Sequence, residues 1–195
     1  MPATDPDTSR EQILTAANVL FNARGIRAVS MHDIRDTSGV PLNRLYKTFP
    51  SKDALVEGYL KHRDHVAVTA LRGHLDAQPS DPHTRITAAF AWLYDYFREP
   101  DFRGCIFTNT HSELGSDSPA APIIAAHKAG IRALLTDLAR KTTAPDPEAL
   151  GAQLQVLWEG ALTLAGITRD PTCALQARAT VETLLSTLPP SGIKA

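Results

Sequence analysis

The chain has 195 residues, of which 43% are hydrophobic and 21% are charged, and its net charge is -1. A chain of this length folds as one large domain or two small ones and buries about 70% of the surface of its extended form. The composition excludes a disordered chain, and the two cysteines, Cys105 and Cys173, exclude a disulfide framework and a four-cysteine zinc site.

No apolar run in the sequence approaches the ~20 residues of a membrane-spanning helix. The first residues, Met-Pro-Ala-Thr-Asp-Pro-Asp, lack the basic start and the apolar core of a secretory signal. We therefore expect a soluble, cytoplasmic protein with no membrane partner.

Basic residues are concentrated between positions 24 and 52. This segment contains six basic and two acidic residues and carries +4, which leaves -5 for the rest of the chain. A basic surface alone favours a nucleic-acid partner only weakly, but its coincidence with a binding motif strengthens that inference.

The first helix is predicted to begin near Ser9, after a mobile tail over residues 1–8. Gln12 lies at capping-box spacing from Ser9, and Gly25 ends the helix. One side of this helix carries Ile13, Ala17, Leu20 and Phe21. These side chains are predicted to pack against the next two helices.

Residues 30–49 have the pattern of a helix-turn-helix. Ser30 and Asp33 form a capping-box start, and Gly39 ends the helix that follows. Pro41 suits the first position of the second helix. The apolar side chains predicted for the core of this motif are Ile34, Leu42, Leu45 and Phe49. Two short helices separated by so brief a break must meet at a sharp turn.

The opposite face of the second motif helix carries hydrogen-bond donors. These are Asn43, Arg44, Tyr46 and Lys47. Such side chains donate to phosphates or base edges when a helix lies in the major groove. The alternative is a helix-turn-helix used only for protein packing, with Tyr46 as a half-buried core residue.

A long fourth helix is predicted from Lys52 to about Ala77, and a shorter one over 104–114. Four other helices are predicted to begin at Asp81-Pro82, Ser118-Pro119, Asp146-Pro147 and Asp170-Pro171. At each, an oxygen that caps exposed amides precedes a ring preset to helical φ. The predicted inward face of the helix after Asp146 is Leu150, Leu154, Leu157, Ala161 and Leu164. The predicted fold class is therefore all-α, with about nine helices.

Aromatic and polar side chains concentrate in the later helices. Candidate ligand-binding residues are Trp92, Tyr94, Phe97, Cys105, Phe107, His111 and Trp158. They fit an apolar pocket with few oriented polar groups, although core packing also explains each of them. A position near a helix start, after Arg103 and Gly104, supports a redox-sensing hypothesis for Cys105, beside the alternative of an inert buried thiol.

Catalytic and metal-binding motifs are absent from the sequence. His62 and His65 share a helix face, but we find no HExxH motif, glycine-rich phosphate loop or GxSxG elbow. We therefore expect no enzyme, no metal site and no cofactor.

Residues 10–60 resemble the TetR family of transcriptional regulators. The resemblance is carried by Phe21, Gly25, Ile34, Gly39, Val40, Leu45, Tyr46, Phe49 and the run over 50–55. It implies a homodimer with a three-helix DNA-binding head and a helical body that holds an inducer. Inducer binding then moves the two heads apart, and the last two helices usually form the dimer as a four-helix bundle.

The resemblance also implies two kinds of DNA contact. Ser30, Tyr46, Thr48 and Lys52 resemble residues that grip phosphates, and His32, Asn43 and Arg44 resemble residues that face bases. The sequence departs from the common family pattern at Arg35, Pro41, Leu42, Asn43 and Thr48, so no operator sequence is implied. A second resemblance, to one subset of TetR-family bodies, is carried by Phe102, Gly104, Cys105, Asn109 and Glu113 and names no ligand.

These observations predict a ligand-responsive repressor that binds a near-palindromic operator as a homodimer and is released by a small-molecule inducer. The predicted DNA-binding domain is 9–52, and the predicted ligand-binding and dimerisation domain is 53–188. The alternatives are a small helical enzyme or ligand carrier with a vestigial head, and an interaction adaptor.

Overall fold

A computed structural model describes residues 6–189 of the chain. Within this range the fold is all-α, with nine helices and no strand. The helices are α1 (Pro6–Arg24), α2 (Met31–Ser38), α3 (Leu42–Thr48), α4 (Lys52–Asp76), α5 (Pro82–Phe97), α6 (Ile106–Leu114), α7 (Ala121–Ala139), α8 (Pro147–Thr168) and α9 (Cys173–Ser186). The predicted fold class is confirmed.

The start of α1 differs from the prediction. The helix begins at Pro6, so residues 6–8 are helical rather than part of a tail, and residues 1–5 of that predicted tail lie outside the described residues. Ser9 is only 1% exposed and lies on the same face as Ile13 and Ala17. Its spacing of four residues from Ile13 explains why it faces inward instead of starting the helix.

The helix-turn-helix forms as its local signals predict. The Ser30 hydroxyl accepts a bond from the Asp33 N–H at 3.1 Å, and the Asp33 carboxylate accepts one from the Ser30 N–H at 2.7 Å. Gly39 ends α2 at a φ of 70°, which glycine adopts without steric cost. Pro41 is the N-cap of α3 and lies one position earlier than expected.

Helices α1, α2 and α3 pack against one another. The buried side chains include Ile13, Ala17, Phe21, Ile34, Leu45 and Phe49, as predicted. Leu20 and Leu42 are only half-buried. The core is completed instead by residues that periodicity did not single out, namely Leu14, Ile26, Val29 and Val40. Three of these lie outside the helices, where a helical repeat gives no information.

Two of the four predicted Asp-Pro or Ser-Pro starts act as helix caps. Asp81 accepts from the Thr84 N–H at 2.7 Å, and Asp146 accepts from the Ala149 N–H at 2.9 Å. Ser118-Pro119 instead lies in a turn, and α7 begins at Ala121. Asp170 bonds to the N–H of Thr172, and α9 begins one residue later.

The inward face of α8 is rotated from the prediction. Leu150, Leu154 and Ala161 are buried, but Leu157 is half-buried and Leu164 is 51% exposed. The inward positions are completed by Trp158, Leu162 and Ala165, which follow the helical repeat from Leu154. Helix α8 is apolar on more than one face, so periodicity alone could not select the buried one.

The described residues form two compact units. One contains the chain up to Val66 together with Ile106–Ala126, and the other contains Ala67–Cys105 and the chain from His127. In the second unit α5, α8 and α9 pack against one another. The predicted functional ranges, 9–52 and 53–188, stay predictions, because compactness does not say which residues bind DNA or ligand.

In the part of the chain that the structure describes, no helix has the length and apolar character that crossing a membrane requires.

Candidate nucleic-acid interface

The outer face of α3 presents polar side chains to solvent. Asn43 and Lys47 are exposed and Tyr46 is 41% exposed, whereas Leu45 is fully buried. More than half of the Tyr46 surface is nevertheless covered, so its ring can both pack and face solvent. Because α3 is a single two-turn helix, one buried leucine and the flanking Phe49 fix which side these three residues face.

Arg44 points toward α1. Its guanidinium donates to the hydroxyl of Ser9 at 3.2 Å, across the interface between α3 and α1. Thr48 donates to the carbonyl of Arg44 at 3.0 Å and is half-buried. A base-facing role for Arg44 stays a prediction, and it requires the guanidinium to leave Ser9.

The start of α2 carries two other predicted DNA contacts, Ser30 and His32, and both are exposed. The Ser30 hydroxyl is engaged with Asp33 at 2.5 Å. Hydrogen bonds from the Ser30 side chain and backbone, together with Arg24 at 2.9 Å, hold the pKa of Asp33 well below its ordinary value. Asp33 is therefore ionised at neutral pH and fixes the first turn of α2.

Lys52 is the first residue of α4. Its amine donates to the carbonyl of Arg27 at 3.3 Å. Partial burial lowers the pKa of Lys52, while the carboxylates of Glu113 and Asp53 act in the opposite direction.

Six of the predicted DNA-contact residues therefore lie at the start of α2, on the outer face of α3 or at the start of α4. The other two, Arg44 and Thr48, instead bond to α1 and within α3. The bond between Ser9 and Arg44 was not predicted from the sequence, although the spacing of Ser9 from Ile13 and Ala17 indicated that Ser9 faces inward. The contact of Glu113 with the head was not predicted either, because its partner lies 86 residues away and leaves no local pattern.

Three of the predicted ligand-binding residues belong to one aromatic cluster in the second unit. Trp92 and Trp158 are stacked, with ring centroids 6.2 Å apart and planes 7° apart. Trp92 also stacks on Tyr96, and Phe102 contacts both Tyr96 and Phe97. The cluster thus connects α8, α5 and the segment before Cys105.

The other predicted ligand-binding residues are Tyr94, Phe107, His111 and Cys105. Tyr94 is half-buried under the guanidinium of Arg98, 5.4 Å from its ring centroid. Phe107 is buried and His111 is exposed, both on α6 in the first unit. A ligand role for these residues stays a prediction.

Cys105 is 8% exposed and has a charged neighbour. The amine of Lys128 lies 3.3 Å from its sulfur and also pairs with Glu159 at 2.5 Å. The Gln155 amide donates to the Lys128 carbonyl at 2.8 Å and so fixes the backbone of α7 at this point. Within residues 6–189, no group of three or more His, Cys, Asp or Glu residues is placed to hold a metal ion.

Comparison with known families and proteins gives a consistent result. Residues 13–59 match the family model described as bacterial regulatory proteins, tetR family. The transcriptional repressor KstR2 of Mycolicibacterium smegmatis is 34% identical over 58 residues, 30% of this chain and 28% of its own length. The transcriptional activator FasR of the same species is 34% identical over 107 residues, 54% of this chain and 48% of its own length. The matches therefore span less than half the length of these relatives.

Solved structures extend the similarity to nearly the whole chain. A TetR-family regulator from Streptomyces coelicolor has a TM-score of 0.86 at 27% identity, covering 94% of this chain and 91% of that one. A TetR-type transcriptional regulator from Streptomyces avermitilis is 30% identical with a TM-score of 0.78, covering 92% of this chain and 97% of that one. The helix-turn-helix head, the nine helices of residues 6–189 and a similarity that covers 92% of the chain lead to one conclusion: the chain belongs to the TetR family of DNA-binding transcriptional regulators.

Proposed function

We propose that the protein is a ligand-responsive repressor that binds a near-palindromic operator as a homodimer. The observation that carries the proposal is the outer face of α3, where Asn43, Tyr46 and Lys47 are exposed on a helix anchored by buried Leu45. A donor-rich helix held on a three-helix head is suited to the major groove. We propose that the protein represses transcription, as the similar protein KstR2 is named a repressor. The similar protein FasR is named an activator, so activation is the alternative.

An apolar stripe on α8 supports the homodimer. Val156, Leu164 and Ile167 are 71%, 51% and 74% exposed, and Gly160 between them faces open space. These positions follow the helical repeat and form one continuous face. Leu175 of α9 is also exposed. A second copy of the same face would cover this surface, in a two-fold symmetric four-helix contact.

Selection of duplexes from a random pool by the wild-type chain tests the operator proposal. We expect a near-palindrome with half-sites about one helical turn (~34 Å) apart, bound less tightly as salt increases. An interaction adaptor predicts no salt-dependent DNA affinity at all. A ligand-binding enzyme or carrier with a vestigial head predicts a bound small molecule and no selected duplex, and either result would remove the proposal.

Two substitutions on α3 separate phosphate contact from base contact. Lys47→Ala should weaken operator and random DNA alike and reduce the salt slope by about 1. Asn43→Ala should cost ~1–3 kcal/mol at one base pair of the selected operator and much less on random DNA.

The aromatic cluster of Trp92, Trp158, Phe97 and their neighbours is the proposed ligand-contact region of the second unit, together with Tyr94 and Cys105. Phe107 and His111 belong to the first unit, and their ligand role stays a prediction from the sequence. The chain has two tryptophans, and both lie in this cluster, so intrinsic fluorescence reports on it directly. An inducer should change this fluorescence and lower operator affinity, because it binds better to a dimer whose heads do not fit adjacent grooves. A compound that binds free and DNA-bound protein equally would not be the inducer.

The redox hypothesis for Cys105 has its own test. If electrophiles release the operator through this thiol, Cys105→Ser should abolish that release and Cys173→Ser should not. Unchanged release from Cys105→Ser would leave Cys105 as an inert buried thiol.

A further inference from the structure

The turn between α1 and α2 is held by a residue from a distant helix. The carboxylate of Glu113, near the end of α6, accepts a hydrogen bond from the N–H of Arg27 at 3.0 Å. We propose that Glu113 is a positioning residue of the DNA-binding head, which fixes this turn and thereby the DNA contacts on either side of it. The inference rests on the proposed operator binding and adds to it a residue from outside the helix-turn-helix.

The Glu113 carboxylate packs directly against the backbone of Gly25. Its φ is +79°, and a Cβ at this position would lie 2.9 Å from one carboxylate oxygen of Glu113 and 3.1 Å from the other. A side chain here would displace the Glu113 carboxylate and would also be strained by the left-handed backbone. Glycine therefore both ends α1 and leaves room for the carboxylate.

Arg27 is fixed on both of its backbone groups. Its N–H donates to Glu113, and its carbonyl accepts from the Lys52 amine at 3.3 Å. The Glu113 charge attracts the Lys52 ammonium and raises its pKa against the effect of burial. One carboxylate thus orders the turn and helps to hold a residue proposed to contact phosphate.

The fixed turn leads directly into the helix-turn-helix. Ile26 and Val29 are buried on either side of Arg27, and the Val29 N–H donates to the Ile26 carbonyl at 3.3 Å. Ser30, the cap of α2 and a proposed phosphate contact, is the next residue. The side chain of Arg27 is exposed and basic beside these groups. A shift of the turn would therefore displace several cationic or donor groups together.

Helix α6 belongs to the same compact unit as the head, although it follows α3 by nearly sixty residues in the sequence. It begins immediately after Cys105, where the chain leaves the other unit. Glu113 therefore packs in the same unit as the head, although its position in the sequence lies within the predicted ligand-binding and dimerisation domain, 53–188.

Glu57 provides a matched control. It is an acidic residue of α4 in the same unit, 3.7 Å from Lys61, and no contact joins it to the turn after α1 among the described bonds. Alanine and glutamine variants at positions 113 and 57 change the charge identically. Only those at position 113 alter the hydrogen bond to Arg27.

The first measurement is amide hydrogen exchange at Arg27 in the full chain without DNA. Glu113→Ala should increase the exchange rate about tenfold, because a hydrogen bond to a charged acceptor is lost. Glu113→Gln keeps an acceptor oxygen and should retain most of the protection. Neither Glu57 variant should change the rate. Equal rates in wild type and Glu113→Ala, with both proteins folded by circular dichroism, would overturn the proposal.

The second measurement is affinity for the duplex that the wild type selects. Glu113→Ala should weaken binding about fivefold, the size of one modest interaction, and Glu113→Gln should restore most of it. Simple electrostatics predicts the reverse, since removing a negative charge near DNA strengthens binding for both variants alike. Tighter binding by Glu113→Ala, or losses matched by Glu57→Ala, would refute the positioning role.

The two measurements distinguish failure of the positioning role from failure of the proposed operator binding. If the wild type selects no duplex, the proposed operator binding is wrong, and exchange at Arg27 still decides whether Glu113 holds the turn. If the wild type binds DNA and Glu113→Ala binds as Glu57→Ala does, operator binding stands and the positioning role is wrong.

Discussion

Neighbouring residues of α3 face different partners. Lys47 and Tyr46 point into solvent, whereas Arg44 crosses to α1 and donates to Ser9. A guanidinium reaches a buried hydroxyl or a base edge from nearly the same backbone position, because its long stem adapts. The direction of the Arg44 side chain thus decides whether it contacts α1 within the head or contacts DNA.

Arg44 and Ser9 can be tested together. If Arg44 contacts a base in the complex, Arg44→Ala should cost ~1–3 kcal/mol at one base pair and relax specificity there. Ser9→Ala removes the hydrogen bond between Ser9 and Arg44 and keeps the guanidinium, so it should leave specificity unchanged. Affinities for the selected operator and for single-base variants measure both. Equal losses on operator and random DNA for Arg44→Ala would show that Arg44 does not read a base.

Asp33 gives a pH-dependent prediction. Its pKa in the folded protein lies below the ordinary value of 3.8, so its stabilising contribution is complete above about pH 4 and is lost as pH falls further. Wild type should therefore be more stable than Asp33→Ala at pH 7, and the difference should narrow at pH 3. Denaturant unfolding at both pH values measures it, with Asp36→Ala on the same helix as the control. If the difference in free energy of unfolding between wild type and Asp33→Ala is the same at pH 7 and pH 3, the capping role of Asp33 is contradicted.

At the scale of the helix, Asp-Pro and Ser-Pro pairs start a helix only where the tertiary structure allows it. Asp146 and its Pro147 start α8, and the Asp146 carboxylate reaches the N–H of Ala149. Ser118 precedes a proline in the same way, yet its hydroxyl is buried without a hydrogen-bond partner and α7 begins later. A Ser-Pro pair is compatible with a turn as well as with a helix start, and packing decided between them.

This contrast predicts that two similar substitutions differ in their effect on the free energy of unfolding. Asp146→Ala should lower the free energy of unfolding by about 1 kcal/mol, because the first turn of α8 loses its cap. Ser118→Ala should be neutral or slightly stabilising, since it removes a buried hydroxyl that has no partner. Urea unfolding of both variants measures the difference. A comparable loss for Ser118→Ala would show that its hydroxyl has a partner in solution.

For the whole molecule, the apolar stripe on α8 predicts assembly. Ile167→Asp places a charge in the proposed symmetric contact and should convert a dimer into a monomer, because a buried unpaired charge is costly. Val19→Asp changes an equally apolar, 55% exposed residue of α1 and should leave the dimer intact. Light scattering after size-exclusion chromatography distinguishes the two. A monomeric wild type would end the proposal of paired heads on one operator.

The sequence by itself determined the helix-turn-helix, the all-α class and most of the buried residues of the head. Those signals are local: Ser30 and Asp33 are three residues apart, and Gly39 ends α2 by its own conformation. Tertiary structure alone decided where Arg44 points, which face of α8 is buried and that Glu113 reaches the head. The contacts of Arg44 and Glu113 join residues that are 35 and 86 positions apart, so no local pattern predicts them. Helix α8 is apolar on more than one face, and only the packing of its neighbours decides which face is buried.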